Sequence, residues 1–295
     1  MQRRRLNLGR KCVRFVALIG LASICMTSQA NTDYVAPRLP GTNVPDLNGI
    51  WQAIGSSHWN IETHMASAAL QLRDGPVTPV PHQRILALGA LGAVPGGLGI
   101  VKGGKIPYTE EALKTRDENE ADYLNRDPAI KCFLPGVPRS TYMPFPFQIV
   151  QGNDALYIAY EFANADRDFF FEDPGPAPVD SWMGQSYAQW DGDTLVVEVT
   201  GQVGDTWFDR AGNHHSAAMR VVERWTPVGP NHLNYEATIH DEETFTEPWS
   251  IELPLYRRME AEMRLMDFKC VEFVEELMYG KWRRHPLPRG WEEEE

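Results

Sequence analysis

Three ionisable side chains in one stretch could carry out acid/base chemistry. Asp209 and His215 lie in a polar connection at 201–216, and Glu223 lies in the strand pattern that follows. An aspartate that orients an imidazole, with a second carboxylate nearby, can move two protons on a substrate without metal or cofactor. We therefore take Asp209, His215 and Glu223 as candidate catalytic residues of an isomerase, lyase or hydrolase that acts on a hydrophobic small molecule.

Glu223 is the least expected of these three. The strand predicted at 218–225 alternates so that Glu223 falls on the apolar face. That face is otherwise formed by Met219, Val221 and Trp225. Desolvation penalises a charged carboxylate, so we expect a raised pKa at Glu223 and a functional role. The alternative is a structural carboxylate that Arg220, Arg224 or a tyrosine hydroxyl satisfies.

The polar connection has no metal signature. His214 and His215 are adjacent, a spacing that does not match a zinc site. We predict neither a metal nor a cofactor. The alternative to a catalytic role is a connection whose side chains only hydrogen-bond to one another and order the loop.

A hairpin must position this stretch. Asp191-Gly192 stands between two alternating runs and is a strong signal for a two-residue turn. Residues 185–190 should then pair with 193–200, with Ala188 opposite Leu195 and Ser186 opposite Val197. A slip of one residue would exchange the two faces of the hairpin.

Short strands with turn signals recur along most of the chain. The other predicted strands lie at 47–52, 149–150, 155–162, 168–172, 233–239, 249–255 and 265–272. Thr109 is the predicted cap of a helix that ends near residue 124. This pattern predicts an all-β antiparallel barrel with a few short helices, long proline-rich loops and a helical or loop insertion at about 80–128.

Several sequence blocks carry a resemblance to a known family. They are PDLNGIWQ, DPAIKCFLPGVPR, SWMGQSYAQWDGDTLVVEVTG, TWFDRAGNHHS and ERW. The chain resembles a large set of exported bacterial proteins described as hypothetical, which share the WDGDTLVVE block. The resemblance implies a lipocalin-like barrel and export, and it transfers no catalytic residue. Gly49-Ile50-Trp51 of this chain is similar to the Gly-x-Trp of lipocalin-like barrels, in which the Trp closes one end of the barrel.

A barrel of about eight strands can hold one small ligand, so our leading interpretation is the binding of a small apolar or aromatic molecule. The segment 127–148 contains five prolines and several aromatic residues, and it would suit a lid over the barrel mouth. The candidate ligand-binding residues are Arg139, Tyr142, Trp182, Tyr187 and Trp207. Alternatively, this segment only plugs the barrel. A third possibility is a structural subunit of an envelope complex.

The N-terminus predicts export to the periplasm or secretion. Six basic residues precede an apolar run, and Ser28-Gln29-Ala30 supplies the small residues of a signal-peptide cleavage site. We expect residues 1–30 to be removed and 31–295 to form a single domain. No later segment is apolar enough to span a bilayer, so no integral membrane segment is expected after cleavage.

Cleavage also changes the charge and the cysteine count. Removing residues 1–30 takes six of the 28 basic side chains and none of the 40 acidic ones, which leaves a formal charge of −18. Nucleic acid is therefore not an expected partner, because binding it needs a basic face. Only Cys132 and Cys270 remain, and in an oxidising compartment they are expected to form a disulfide. The alternative is two buried free thiols.

Overall fold

The described residues form a nine-stranded barrel with three short α-helices. The structure, a computed structural model, describes residues 34–66, 94–272 and 274. The strands are β1 Gly49–Ala53, β2 Phe147–Gln151, β3 Leu156–Tyr160, β4 Asp166–Phe170, β5 Gln185–Asp191, β6 Thr194–Thr200, β7 Arg220–Gly229, β8 His232–His240 and β9 Trp249–Arg257. The α-helices are α1 Glu110–Ala121, α2 Tyr123–Arg126 and α3 Arg139–Tyr142. The predicted signal peptide, residues 1–30, and residues 80–93 of the predicted insertion lie outside the described residues.

Each strand pairs with the next one in the chain, and β9 pairs with β1 to close the barrel. All pairings are antiparallel except β4 with β5, which is parallel and short. The prediction of an all-β barrel is confirmed, but the expectation of a wholly antiparallel one is wrong at this pairing. Because β4 and β5 are parallel, the chain between them must return along the barrel through residues 171–184. That segment is rich in proline, which cannot donate to a strand ladder, and it adds no strand.

The β5–β6 hairpin forms as predicted, with a register shifted by two residues. Asp191 pairs with Thr194, so the turn consists of Gly192 and Asp193, and Ala188 lies opposite Val197. Gly192 adopts a φ of 60°, which glycine reaches without strain. Because the shift is an even number of residues, the buried and outer faces are the predicted ones.

The two ends of the barrel differ in what covers them. The turn end carries the short β2–β3, β5–β6 and β7–β8 turns together with the segment 34–48. The loop end carries α1 to α3 and the connection 201–219. In α1, Thr109 Oγ1 accepts from Ala112 N at 3.3 Å, which confirms the predicted helix cap. Among the residues described, no helix is both long and apolar enough to cross a bilayer.

The segment after β9 is not the last strand that we predicted at 265–272. The barrel closes through β9, and this segment is instead held against the loop end. Cys132 and Cys270 form a disulfide, as predicted, with their Cα atoms 5.8 Å apart. Phe268 packs nearby against Phe145 and Phe162, with ring centroids 5.4 and 5.0 Å away. The disulfide and the Phe268 contacts therefore attach this segment to the loop end without strand pairing.

Candidate functional site

Glu223 lies inside the barrel and is fully buried, as the strand pattern predicted. Its carboxylate forms a bidentate ion pair with Arg167 of β4, with Nη1–Oε1 and Nη2–Oε2 distances of 3.2 and 2.6 Å. The hydroxyl of Tyr235 donates to the same carboxylate at 2.7 Å. Three hydrogen bonds from two side chains therefore satisfy Glu223 as a structural carboxylate.

Arg167 is equally buried, and the sequence reasoning missed it. Its guanidinium donates to Ser186 Oγ at 2.8 Å and to the Tyr160 hydroxyl at 3.4 Å. The arginines that we considered as partners of Glu223 lie on the outer surface, where Arg220 pairs with Glu198 and Arg224 with Asp191. The available signal was the alternation of β4, which places Arg167 on the inward side with Phe169.

The barrel interior is filled by side chains that meet across it. The Arg167–Glu223 pair joins β4 to β7, and the rings of Phe147 and Trp225 join β2 to β7 with centroids 6.0 Å apart. All four side chains are buried. These contacts place protein side chains in the part of the interior where β2, β4 and β7 face one another.

Asp209 is fully buried at the loop end and is satisfied by four N–H groups. Its Oδ2 accepts from Ile61 N at 2.8 Å and from Asn213 Nδ2 at 2.7 Å, and its Oδ1 accepts from Ala211 N at 2.9 Å and Asn213 N at 3.3 Å. Burial raises the pKa of Asp209 to about 7, against the opposing effect of these hydrogen bonds. The carboxylate thus ties the connection 201–219 to the segment that follows β1.

His215 has other partners than Asp209. Its Nε2 is 2.5 Å from Thr206 Oγ1, and its Nδ1 is 2.8 Å from the carbonyl oxygen of Ser216. Burial lowers the pKa of His215 to about 4, so the imidazole is neutral at neutral pH. In the described part of the chain, no hydrogen bond joins any two of Asp209, His215 and Glu223. The structure does not assemble the expected acid/base set.

Two of the candidate ligand-binding residues, Arg139 and Tyr142, lie close together in α3. Arg139 forms a fully buried bidentate pair with Asp127, with both N–O distances at 2.9 Å. The Tyr142 hydroxyl donates to the carbonyl oxygen of Phe208 at 2.8 Å. The Arg139–Asp127 pair therefore joins two parts of the segment 127–148, whereas Tyr142 attaches this segment to the connection 201–219.

The other three candidate ligand-binding residues are dispersed. Trp182 stacks on Phe133 with ring centroids 4.7 Å apart. Trp207 is buried at the loop end, whereas Tyr187 stands on the outer face of β5, opposite Glu198. The structure therefore does not gather the five candidates into one pocket.

A cleft that the sequence reasoning did not identify lies at the turn end. Its volume is about 110 Å³. It is lined by Tyr34, Ala36, Pro37, Asp46, Asn48, Trp51, Pro227, Gly229, Pro230, Leu233 and Arg257. Most of the lining residues are apolar or aromatic, but the surface that they expose to the cleft is more polar than apolar, and it includes the Arg257 guanidinium and the Asp46 carboxylate. Such a mixture of apolar residues with a few polar groups is typical of small-molecule sites.

Trp51 and Arg257 form the polar part of this cleft. Arg257 pairs with Trp51 across β1 and β9, and its guanidinium carbon lies 4.2 Å from the centroid of the indole ring. The indole N–H of Trp51 donates to the carbonyl oxygen of Leu47 at 3.0 Å. The Gly-x-Trp pattern was the available signal for this end, but its arginine partner is more than 200 residues away in the sequence.

Comparisons with protein families, with characterised proteins and with solved structures found no match to this chain.

Proposed function

We propose that this chain is an exported, lipocalin-like β-barrel protein that binds a small apolar or aromatic molecule in the cleft beside Trp51. The observation that carries the proposal is the cleft itself, which is lined by proline, leucine and aromatic side chains together with the Arg257 guanidinium and the Asp46 carboxylate. Its volume of about 110 Å³ is below the roughly 300–1,000 Å³ typical of sites for drug-sized ligands. The ligand is therefore about the size of a single ring.

Two further observations support the lipocalin-like and exported parts of this proposal. Trp51, from the Gly-x-Trp pattern, lies fully buried at the turn end, where the Trp of lipocalin-like barrels closes the barrel. The Cys132–Cys270 disulfide fits an oxidising compartment such as the periplasm or the extracellular space.

The acid/base alternative has one feature in its favour, the pKa of about 7 at Asp209. Asp209 is fully buried, however, and backbone and amide N–H groups already occupy its oxygens. A substrate would have to break these contacts before it reached the carboxylate. Ligand binding at the turn end requires no such rearrangement.

A binding experiment with matched tyrosine variants tests the proposal. Benzyl alcohol, benzamide and benzoate are titrated calorimetrically into the mature, disulfide-bonded protein. Tyr34 lines the cleft, so Tyr34→Ala should weaken binding about tenfold. Tyr187→Ala, which removes a half-buried tyrosine from the outer face of β5, should leave the affinity unchanged. Absence of binding by all three compounds, or equal loss in both variants, would contradict the proposal.

A further inference from the structure

The guanidinium of Arg257 differs from those of the fully buried Arg139 and Arg167. Arg139 and Arg167 each face a carboxylate in a bidentate pair. Arg257 is half-buried, and its Nη1 donates to a neutral acceptor, the carbonyl oxygen of Asn48. Within the described residues, no carboxylate accepts a hydrogen bond from Arg257. A guanidinium has five N–H donors, so donors remain for a ligand.

The backbone of β1 is shaped to admit this guanidinium. Gly49 has a φ of +145°, and a Cβ at this position would stand 2.1 Å from Arg257 Nη1. No other residue type could occupy the position without displacing the arginine. Trp51, two residues on, then covers one face of the guanidinium with its ring. The Gly-x-Trp pattern thus fixes the arginine in the wall of the cleft.

The groups around the cleft compensate this charge only in part. Burial lowers the pKa of Arg257, and the nearby Asp46 only partly opposes that effect. Asp46 turns Oδ1 toward Asn48, whose backbone N and Nδ2 lie 2.9 and 2.8 Å away. It therefore acts on the guanidinium through space rather than through a direct hydrogen bond.

We infer that the ligand of this cleft carries a carboxylate that accepts hydrogen bonds from Arg257, while its apolar part lies against Tyr34 and Leu233. The inference rests on the proposed function and adds the chemical class of the ligand. A carboxylate matches the planar donor edge of a guanidinium and forms stronger hydrogen bonds than a neutral acceptor. The negative charge of Asp46 repels the carboxylate of the ligand and lowers its affinity for the cleft.

The experiment compares two ring-sized probes that differ in charge. Benzoate and benzamide are titrated into the mature protein by calorimetry at pH 7 and low salt. Benzoate should bind at least about tenfold more tightly than benzamide. Arg257→Met should abolish this preference, whereas Arg258→Met, at the adjacent surface arginine paired with Glu260, should preserve it.

Asp46→Asn provides a second variant, which does not require the protein to fold without Arg257. The amide oxygen can still accept from Asn48, so the local turn is kept while the negative charge is removed. Benzoate affinity should rise severalfold, and benzamide affinity should stay unchanged. If Arg257→Met does not fold, the Asp46→Asn result decides the inference.

The outcomes separate the two proposals. Suppose that benzamide binds in the cleft as tightly as benzoate and that Asp46→Asn changes neither affinity. The inference that the ligand carries a carboxylate is then wrong, and the proposed binding function stands. If benzoate is preferred but Arg257→Met retains the preference, the inference is also wrong, because the anion is recognised elsewhere. If neither benzoate nor benzamide binds, the inference is wrong, and the binding function is contradicted as well if benzyl alcohol also fails to bind.

Discussion

Replacing Glu223 by glutamine should destabilise the protein strongly, although the change preserves the shape of the side chain. The substitution removes the charge that faces Arg167, whose side chain is only 1% exposed. The guanidinium would then keep its neutral partners, Ser186 and Tyr160, but no anion. Breaking one side of a buried ion pair costs about 3–5 kcal/mol. That is a large part of the roughly 5–15 kcal/mol by which a domain is stable.

The corresponding double substitution should be much milder. Arg167→Met alone leaves a buried, unpaired carboxylate at Glu223 and should also cost about 3–5 kcal/mol. The combination of Arg167→Met with Glu223→Gln removes both charges, and we expect it to cost about 2–3 kcal/mol less than the sum of the single changes. The expected coupling follows from the bidentate geometry of the pair.

Urea denaturation followed by tryptophan fluorescence, at pH 7 with the disulfide intact, measures these free energies of unfolding. The matched control is Glu198→Gln, which breaks an exposed pair with Arg220 at 3.0 Å. Exposed pairs contribute about 0–1 kcal/mol, so this variant should unfold close to wild type. A Glu223→Gln variant within about 1 kcal/mol of wild type would refute the reasoning.

Three further predictions concern the elements around the barrel. Replacing Cys132 and Cys270 by serine should lower the free energy of unfolding by about 2–5 kcal/mol, because the disulfide spans 138 residues. Thiol titration of the denatured, unreduced mature protein, which lacks Cys12 and Cys25, should find no free thiol. The pKa of His215 is lowered to about 4 in the fold, so this side chain binds more protons in the unfolded chain between pH 6.5 and 4, and its contribution to stability falls by about 3 kcal/mol as the pH drops through that window. His215→Asn should remove this contribution, so the difference in urea midpoint between wild type and variant should change between pH 6.5 and 4, and a constant difference would contradict the assignment. Gly212→Ala should cost roughly 2–4 kcal/mol of stability, because its Cβ would stand 2.6 Å from the backbone of α1. Gly192→Ala, at positive φ but in open space, should cost only about 1 kcal/mol in the same assay.

Local patterns predicted most of the barrel. Each strand signal between β1 and β9 came from alternation over a few residues, and the inward position of Glu223 followed from parity alone. The hairpin register was wrong by two residues because Asp191-Gly192 and Gly192-Asp193 are both suitable turns. Because the register differs by an even number of residues, the predicted buried face of the hairpin was still correct.

The site could not be predicted to the same extent, because its contacts join distant parts of the chain. Glu223 finds Arg167, 56 residues away, rather than the arginines beside it in β7. Asp209 binds the backbone of Ile61, 148 residues away, rather than His215. The cleft at Trp51 depends on Arg257, which becomes its neighbour only when β9 closes the barrel. No periodicity in the sequence encodes these pairings.

Binding in the cleft is tested most directly by the indole N–H signals of the protein in an ¹H–¹⁵N NMR titration with benzoate. Trp51, assigned through Trp51→Phe, lines the cleft, whereas Trp182 stacks on Phe133 away from it and Trp225 lies within the barrel. Binding beside Trp51 predicts a saturable shift of the Trp51 signal, with Trp182 and Trp225 unchanged. A saturable shift confined to Trp182 or Trp207, or no shift at all, would contradict binding at the turn end.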